Sequence, residues 1–220
     1  MSIFVNMHNV ISQEYFYWDS LSAIYLESRE LLKSLFPKID ASTTNLQQYI
    51  RYVAETDTKS RLEISRDLNS VIRNSHLSEY FLKNLRPLNL SELEKLSQNH
   101  LVSIGNHSYS HPTFGNTHVD LHEEIFLNHT LIEESTGRRP KEFAFPFGTE
   151  LDKSQKAEKF LVDLQYRNAF STKGIPNSNS DNPMFKPRLV IGDWGISRYL
   201  YRILRSQIAY VVKKFFGLID

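Results

Sequence analysis

Ile104-Gly105-Asn106-His107-Ser108-Tyr109-Ser110-His111-Pro112 decides how this chain is read. Two imidazoles four residues apart, behind a short apolar run at 101–104 and a glycine, can both aim at one cation from the loop that leaves a strand. Neutral imidazole is the commonest protein ligand for such divalent ions, and a catalytic site takes three protein ligands with one position open for water or substrate. The pair supplies two of the three. Gly105 allows an unusual backbone angle ahead of His107, Pro112 disfavours helix at His111, and the carboxyl end of a strand is where barrel enzymes gather active-site residues. The chain has eight histidines, so the same pair also reads as two satisfied surface side chains. Both readings stand on these residues alone.

Composition narrows the setting. At 220 residues and 40% hydrophobic content the chain can bury one substantial core, though a complete α/β barrel is commonly longer, at about 250 residues. Lys plus Arg number 26 against 25 Asp plus Glu, so no overall field draws nucleic acid to the surface. There is no cysteine, which excludes a disulfide framework, a thiolate zinc site and a cysteine nucleophile. Any metal must therefore use nitrogen and oxygen ligands. The first residues lack the basic start and apolar core of a secretory signal, and no run is long enough to span a bilayer. As written, the chain reads as soluble, with its compartment open.

Outward from the histidines, residues 2–5 read as a short strand and 19–36 as one helix ended by Pro37. Ile50, Val53, Leu62, Ile64, Leu68, Val71 and Ile72 carry helical spacing through 46–85, so that 19–99 reads as a helical insert in a single domain. Ser91 with Glu94 reads as a capping box, and Asp120 with Glu123 as a second cap. Strands are expected at 101–104, 143–145 and 168–171, a helix at 153–165, and a polar loop at 174–187. Strands alternating with helices favour an α/β fold with parallel strands.

Two more stretches bear on function. Phe143, Phe145 and Phe147 would line an apolar wall, while the turn Pro146–Gly148 can present backbone amides to a substrate carbonyl and steady a developing oxyanion. A buried strand with an ordinary turn is the plainer alternative. At 195–216, apolar residues from Ile196 to Phe216 form one stripe, and Arg198, Arg202, Arg205, Lys213 and Lys214 the opposite face. This terminal amphipathic helix either packs on the domain or lies on an anionic membrane surface, which would permit association with the cell envelope.

Taken together, these segments resemble the polysaccharide deacetylase family. Residues 104–112 are similar to its H-[ST]-x-x-H motif with the preceding glycine and following proline. Residues 137–148 resemble the branch that reads F-A-Y-P-Y-G, and Phe185-Lys186-Pro187-Arg188 resembles its late F-x-L-P-R segment. Tyr15 to Leu21 is similar to F-W-W-D-x-L. The resemblance implies an incomplete, distorted (β/α) barrel in which His107 and His111 hold a divalent ion, expected to be zinc. It also implies that the Phe147 amide helps hold the oxyanion, that Pro146 and Gly148 border the substrate, and that Ser108 steadies the loop, while Arg188 either binds substrate or closes a salt bridge, with the salt bridge slightly preferred. Asp193 and Trp194 partly resemble a D-x-x-D-W motif, with Asp193 in a catalytic and Trp194 in a substrate-binding position, although Val190 stands where its first aspartate belongs. The implied partner is an N-acetylated glycan, with hydrolysis of its N-acetyl groups as the reaction.

The match breaks at one point. The family's T-F-D-D motif, source of the base and third ligand, has no counterpart, and residues 2–6 resemble the strand that follows it. The reading is of a domain that starts late, with an open sheet edge, poor solubility and little or no activity. A non-catalytic sugar-binding or assembly protein is the alternative, since 14 Phe and 11 Tyr suit stacking on sugars as well as they suit a core.

Overall fold

The computed structural model describes residues 1–40, 43–115, 118–172 and 182–188. Its centre is a four-stranded sheet in the order β1 (Ser2–Val5), β2 (Ser103–Asn106), β3 (Glu142–Ala144) and β4 (Asn168–Phe170). All three pairings are parallel. The chain therefore returns through a helical connection after each strand, as parallel pairing requires. Among the described residues the sheet is open rather than closed into a barrel, with β1 at one end of the order and β4 at the other. The expected strand positions hold to within two residues, β2 lying two positions later than the apolar run suggests.

Gly105 is needed for a different reason from the one its position suggests. It faces Phe4 in the β1–β2 register, and an added Cβ would stand 2.5 Å from the Phe4 ring. The glycine serves close strand packing, and the left-handed backbone angles fall on Ser108 (φ 66°) and His111 (φ 62°). His111 does leave the right-handed helical region ahead of Pro112, but into the left-handed one.

Between β1 and β2 the chain forms α1 (Met7–Ser12), α2 (Tyr17–Glu27), α3 (Arg29–Leu35), α4 (Leu46–Glu55), α5 (Thr58–Arg73), α6 (Ser78–Asn84) and α7 (Leu90–Ser97). The helix expected over 19–36 is broken in two at Ser28, which is extended (φ −158°) and caps α3 by accepting from the Leu31 amide. Apolar stripes of α2 to α6 meet in one core that includes Leu21, Ile24, Leu32, Val53, Leu68, Ile72 and Phe81. Asn45 with Gln48 closes a capping box on α4, and Asp57 caps α5. On α7 the box is Asn89 with Glu92, two residues before the expected Ser91 and Glu94, and Arg86 grips the same Glu92 carboxylate at 2.6 and 2.8 Å.

Past β2, Asp120 accepts from the His122 and Glu123 amides as expected. The helix it starts opens as a π-helical turn (His122–Leu127) before α8 (Asn128–Thr136). Then come β3, a short 3₁₀ turn (Glu150–Asp152), α9 (Gln155–Asp163) and β4. Phe143 and Phe145 are fully buried with Phe114, Ile125, Leu161, Tyr166 and Ala169 on one side of the sheet. Val5, Met7, Val10, Leu93 and Ile132 form a third core. Among the described residues no helix is long and apolar enough to cross a membrane. The stripe at 195–216 lies outside the described residues.

Candidate active site

The carboxyl ends of β1 and β2 are tied together by buried amide side chains. Asn6 donates to the carbonyls of His107 (2.6 Å) and Ser108 (2.9 Å). Asn106 donates to the Ile125 carbonyl and the Tyr166 hydroxyl, while its oxygen accepts from the Ser108 amide and from Asn128. Asn128 also donates to the Val5 carbonyl and accepts from the Met7 amide. A buried amide left unpaired costs about 1–3 kcal/mol, so satisfaction on both ends fixes the loop's starting direction.

The loop beyond is fastened by Glu124, which is fully buried in the π-helical turn. Its carboxylate accepts from the amides of Tyr109 (3.1 Å) and Ser110 (2.9 Å), from the Ser110 hydroxyl, and from Thr58 (2.9 Å). Arg61, also buried, stands 4.0 Å away and donates twice to the Thr56 carbonyl. Both Thr58 and Arg61 come from α5, so the helical insert reaches the histidine loop directly. The Ser108 hydroxyl accepts from the His111 amide at 3.1 Å, the steadying role expected of it.

Within this frame the rings of His107 and His111 lie 5.0 Å apart between centroids, at 83°. Two imidazoles sharing a zinc-sized ion, with Zn–N about 2.0–2.1 Å and a near-tetrahedral angle, would place their centroids about 5 Å apart. Nδ1 of His107 meets the Ala144 carbonyl at 2.7 Å, which leaves Nε2 as the lone-pair nitrogen in the arrangement that orients metal-binding histidines. Burial, and then the nearby Arg188 charge, push His107 down to about 4, so it is neutral at pH 7. His111 is pushed well below the usual histidine range by burial and by His107. Its Nδ1 is buried with no hydrogen-bond partner among the described residues. The pair fits one end of an ion, but among the described residues no third His, Cys, Asp or Glu completes a group.

Tyr17 and Trp18 of α2 wall off His111. The Tyr17 hydroxyl donates to the His111 carbonyl at 3.2 Å, and the Trp18 ring lies 4.2 Å from the imidazole. Their part in the site has no local signal beyond the aromatic run Tyr15–Trp18. Of the three phenylalanines expected to line a wall, only Phe147 does so, 4.9 Å from the His111 ring. Phe143 and Phe145 belong to the core with Phe114, Tyr166 and Phe185, whereas Phe147, further along the turn, packs toward the helical core instead.

That turn is strongly determined. Gly148 has φ 65°, and an added Cβ would stand 2.7 Å from the Thr172 amide. Thr172 donates from its amide to the Gly148 carbonyl and from its hydroxyl to the Phe147 carbonyl, both at 2.7 Å. The buried Asp152 accepts from the Thr149 amide and hydroxyl and from the Phe114 amide, and its burial raises its carboxyl above the usual range. Pro146 is buried in the turn. The Phe147 amide donates to no acceptor among the described residues. Beside it a cleft of about 250 Å³ is lined by Gln47, Ile50, Arg51, Glu55, Thr113, Phe147 and Thr149.

Arg188 donates to the Ser171 carbonyl at 2.9 Å, with its guanidinium 5.7 and 6.0 Å from the Phe4 and Phe170 ring centres. It makes no carboxylate contact among the described residues. Asp193 and Trp194 lie outside the described residues.

Residues 71–168 match the family model described as Polysaccharide deacetylase. No curated protein matches the chain. Among solved structures, a polysaccharide deacetylase from Bacillus cereus is 18% identical, aligned over 54% of this chain and 37% of the other, with TM-score 0.44. A de-N-acetylase from Aggregatibacter actinomycetemcomitans is 14% identical over 54% of this chain and 56% of the other, with TM-score 0.39. The alignment spans less than two thirds of either solved chain's length. The stretch 71–168, which holds both histidines and the Phe147 turn, is the part of the chain that is similar to the polysaccharide deacetylase family.

Proposed function

We propose that this chain carries the histidine half of a metal-dependent site for hydrolysing N-acetyl groups on a polysaccharide or amino sugar. The observation that carries the reading is the pair His107 and His111, neutral at pH 7 and 5.0 Å apart, beside a turn whose Phe147 amide is free to donate. His107 and His111 would hold a divalent ion, zinc being suited to nitrogen ligands of this spacing. When bound, such an ion polarises the amide carbonyl of the substrate. The chain's own residues do the rest that can be assigned. Phe147 N–H hydrogen-bonds the carbonyl oxygen as charge develops on it. Pro146 and Gly148 set the direction of that amide, and the cleft beside it takes the sugar ring, with the Phe147 face against C–H groups and Gln47, Arg51, Thr113 and Thr149 toward hydroxyls. Burial keeps the His107 imidazole neutral, and the nearby Arg188 charge adds to the effect.

Turnover should be slight. Among the described residues no carboxylate joins the imidazoles to activate water or to complete the ligand set. The test has two parts. Titration of the 220-residue chain with Co²⁺ should give weak binding that His107→Ala abolishes, and acetate release from N-acetylglucosamine oligomers should rise when a strand bearing two aspartates is supplied upstream of β1. Cobalt binding indifferent to His107→Ala would remove the reading.

The cleft beside the Phe147 turn, with no third ligand among the described residues, also favours a second reading, a non-catalytic sugar-binding protein. Retention on an N-acetylated glycan resin that survives both chelation and His107→Ala would select it.

A further inference from the structure

The opposite end of the sheet carries a second cleft, remote from the histidines by the length of the strands. About 230 Å³ in volume, it is lined by Arg138, Arg139, Lys141 and Arg167, with Ser97, Val102, Ser103, Ile104 and Glu142. Each cation precedes a strand: Arg138, Arg139 and Lys141 lead into β3 and Arg167 into β4. The whole chain has a net charge of only +1, so four cations around one cleft are a local concentration.

The compensation for them is incomplete. Glu142 is the one acid in the lining, and its carboxylate accepts from the Ser2 hydroxyl at 2.6 Å. Glu133 stands behind Arg139, 3.6 Å from His129, to which Arg139 is hydrogen-bonded. The carboxyl ends of α7, α8 and α9 point to this end of the sheet and add about half a negative charge each. That leaves a surplus of between about half and one and a half positive charges, a local excess that favours a phosphate monoester, whose charge near neutral pH is about −1.5 to −2. Arg139 is also held in place by neutral acceptors, the Leu164 carbonyl at 3.2 Å and Gln165 at 3.5 Å. Its fork is fixed without a carboxylate consuming its charge. Guanidinium groups match phosphate oxygens in pairs, and Lys141 adds a point charge.

We propose that this basic cleft binds a phosphate group, from a soluble phosphate ester or from a lipid headgroup, independently of the histidine site. The test is titration of inorganic phosphate into the full chain at constant ionic strength, following the amide resonances of Ser103, Glu142 and Arg167. A saturable shift is expected, at least tenfold weaker in the double variant Arg138→Glu, Arg167→Glu. Both side chains are exposed, and unchanged His107 and Ser110 resonances would show that the variant is folded. Capture by phosphatidylcholine vesicles doped with phosphatidic acid, lost in the same variant, would identify a headgroup; saturable binding of free phosphate without such capture would identify a soluble ester. Shifts that never saturate, that chloride reproduces, or that persist in the double variant would overturn the proposal.

Discussion

The helical insert and the carboxyl end of the sheet are stabilised by opposite means. In the insert, α2 to α6 bury aliphatic and aromatic side chains against one another, so each contact is replaceable and the total is a sum of small parts. At the sheet end, Asn6, Asn106, Asn128 and Glu124 are buried polar groups bonded to one another or to the loop backbone, with Arg61 4.0 Å from Glu124, and removing one strands several. The first kind of core tolerates repacking, and the second holds two histidines at a fixed separation.

The contrast predicts unequal costs. Glu124→Ala should be the most damaging change, at about 3–5 kcal/mol in urea unfolding, because it leaves Arg61 buried without its charge partner. It should also release the Tyr109 and Ser110 amides, seen as a collapse of their resonance dispersion. Leu68→Ala in the insert core should cost about 3 kcal/mol while leaving those resonances in place. If Leu68→Ala disturbed the loop as much as Glu124→Ala does, the two regions would not be distinct.

Gly105→Ala sharpens the comparison at the strand level. Its Cβ meets the Phe4 ring, a movable side chain, so about 1–3 kcal/mol is expected from thermal unfolding. Asn89→Ala, which removes the α7 cap on the surface, should cost about 1 kcal/mol.

Protonation gives the gentlest probe. The folded His107 ring resists a proton until about pH 4, whereas an unfolded histidine takes one near 6.5. Its contribution to stability is therefore full above about 6.5 and is lost as pH falls from there toward 4. Ring-proton NMR should place the His107 midpoint near 4, and a midpoint near 6.5 would contradict the buried, hydrogen-bonded ring.

What the sequence revealed follows the same division. The spacing of Ile50, Val53, Leu68 and Ile72 predicts helices because apolar periodicity is local, and the insert has them there. The motif from Gly105 to Pro112 pointed to the loop, where the two ring centroids lie 5.0 Å apart, edge to face. The break at Ser28 was hidden, since apolar residues continue on both sides of it. Glu124 and Arg61 carried no warning at all: each looks like an ordinary surface charge in its helix, and only a contact across 63 positions makes them a pair. Phe143 and Phe145 misled for a related reason. Alternation along a strand says which residues share a face, but not which face meets a core and which a cleft.

Thr58 and Arg61 make the insert's integrity a condition for the shape of the loop. Amide hydrogen exchange at Ser110 should then slow and quicken together with exchange along α5, as one cooperative opening unit. Excising the helices to obtain a minimal scaffold would strip Glu124 of the Thr58 hydroxyl and the Arg61 guanidinium, so this appendage is not a module that can be lifted away.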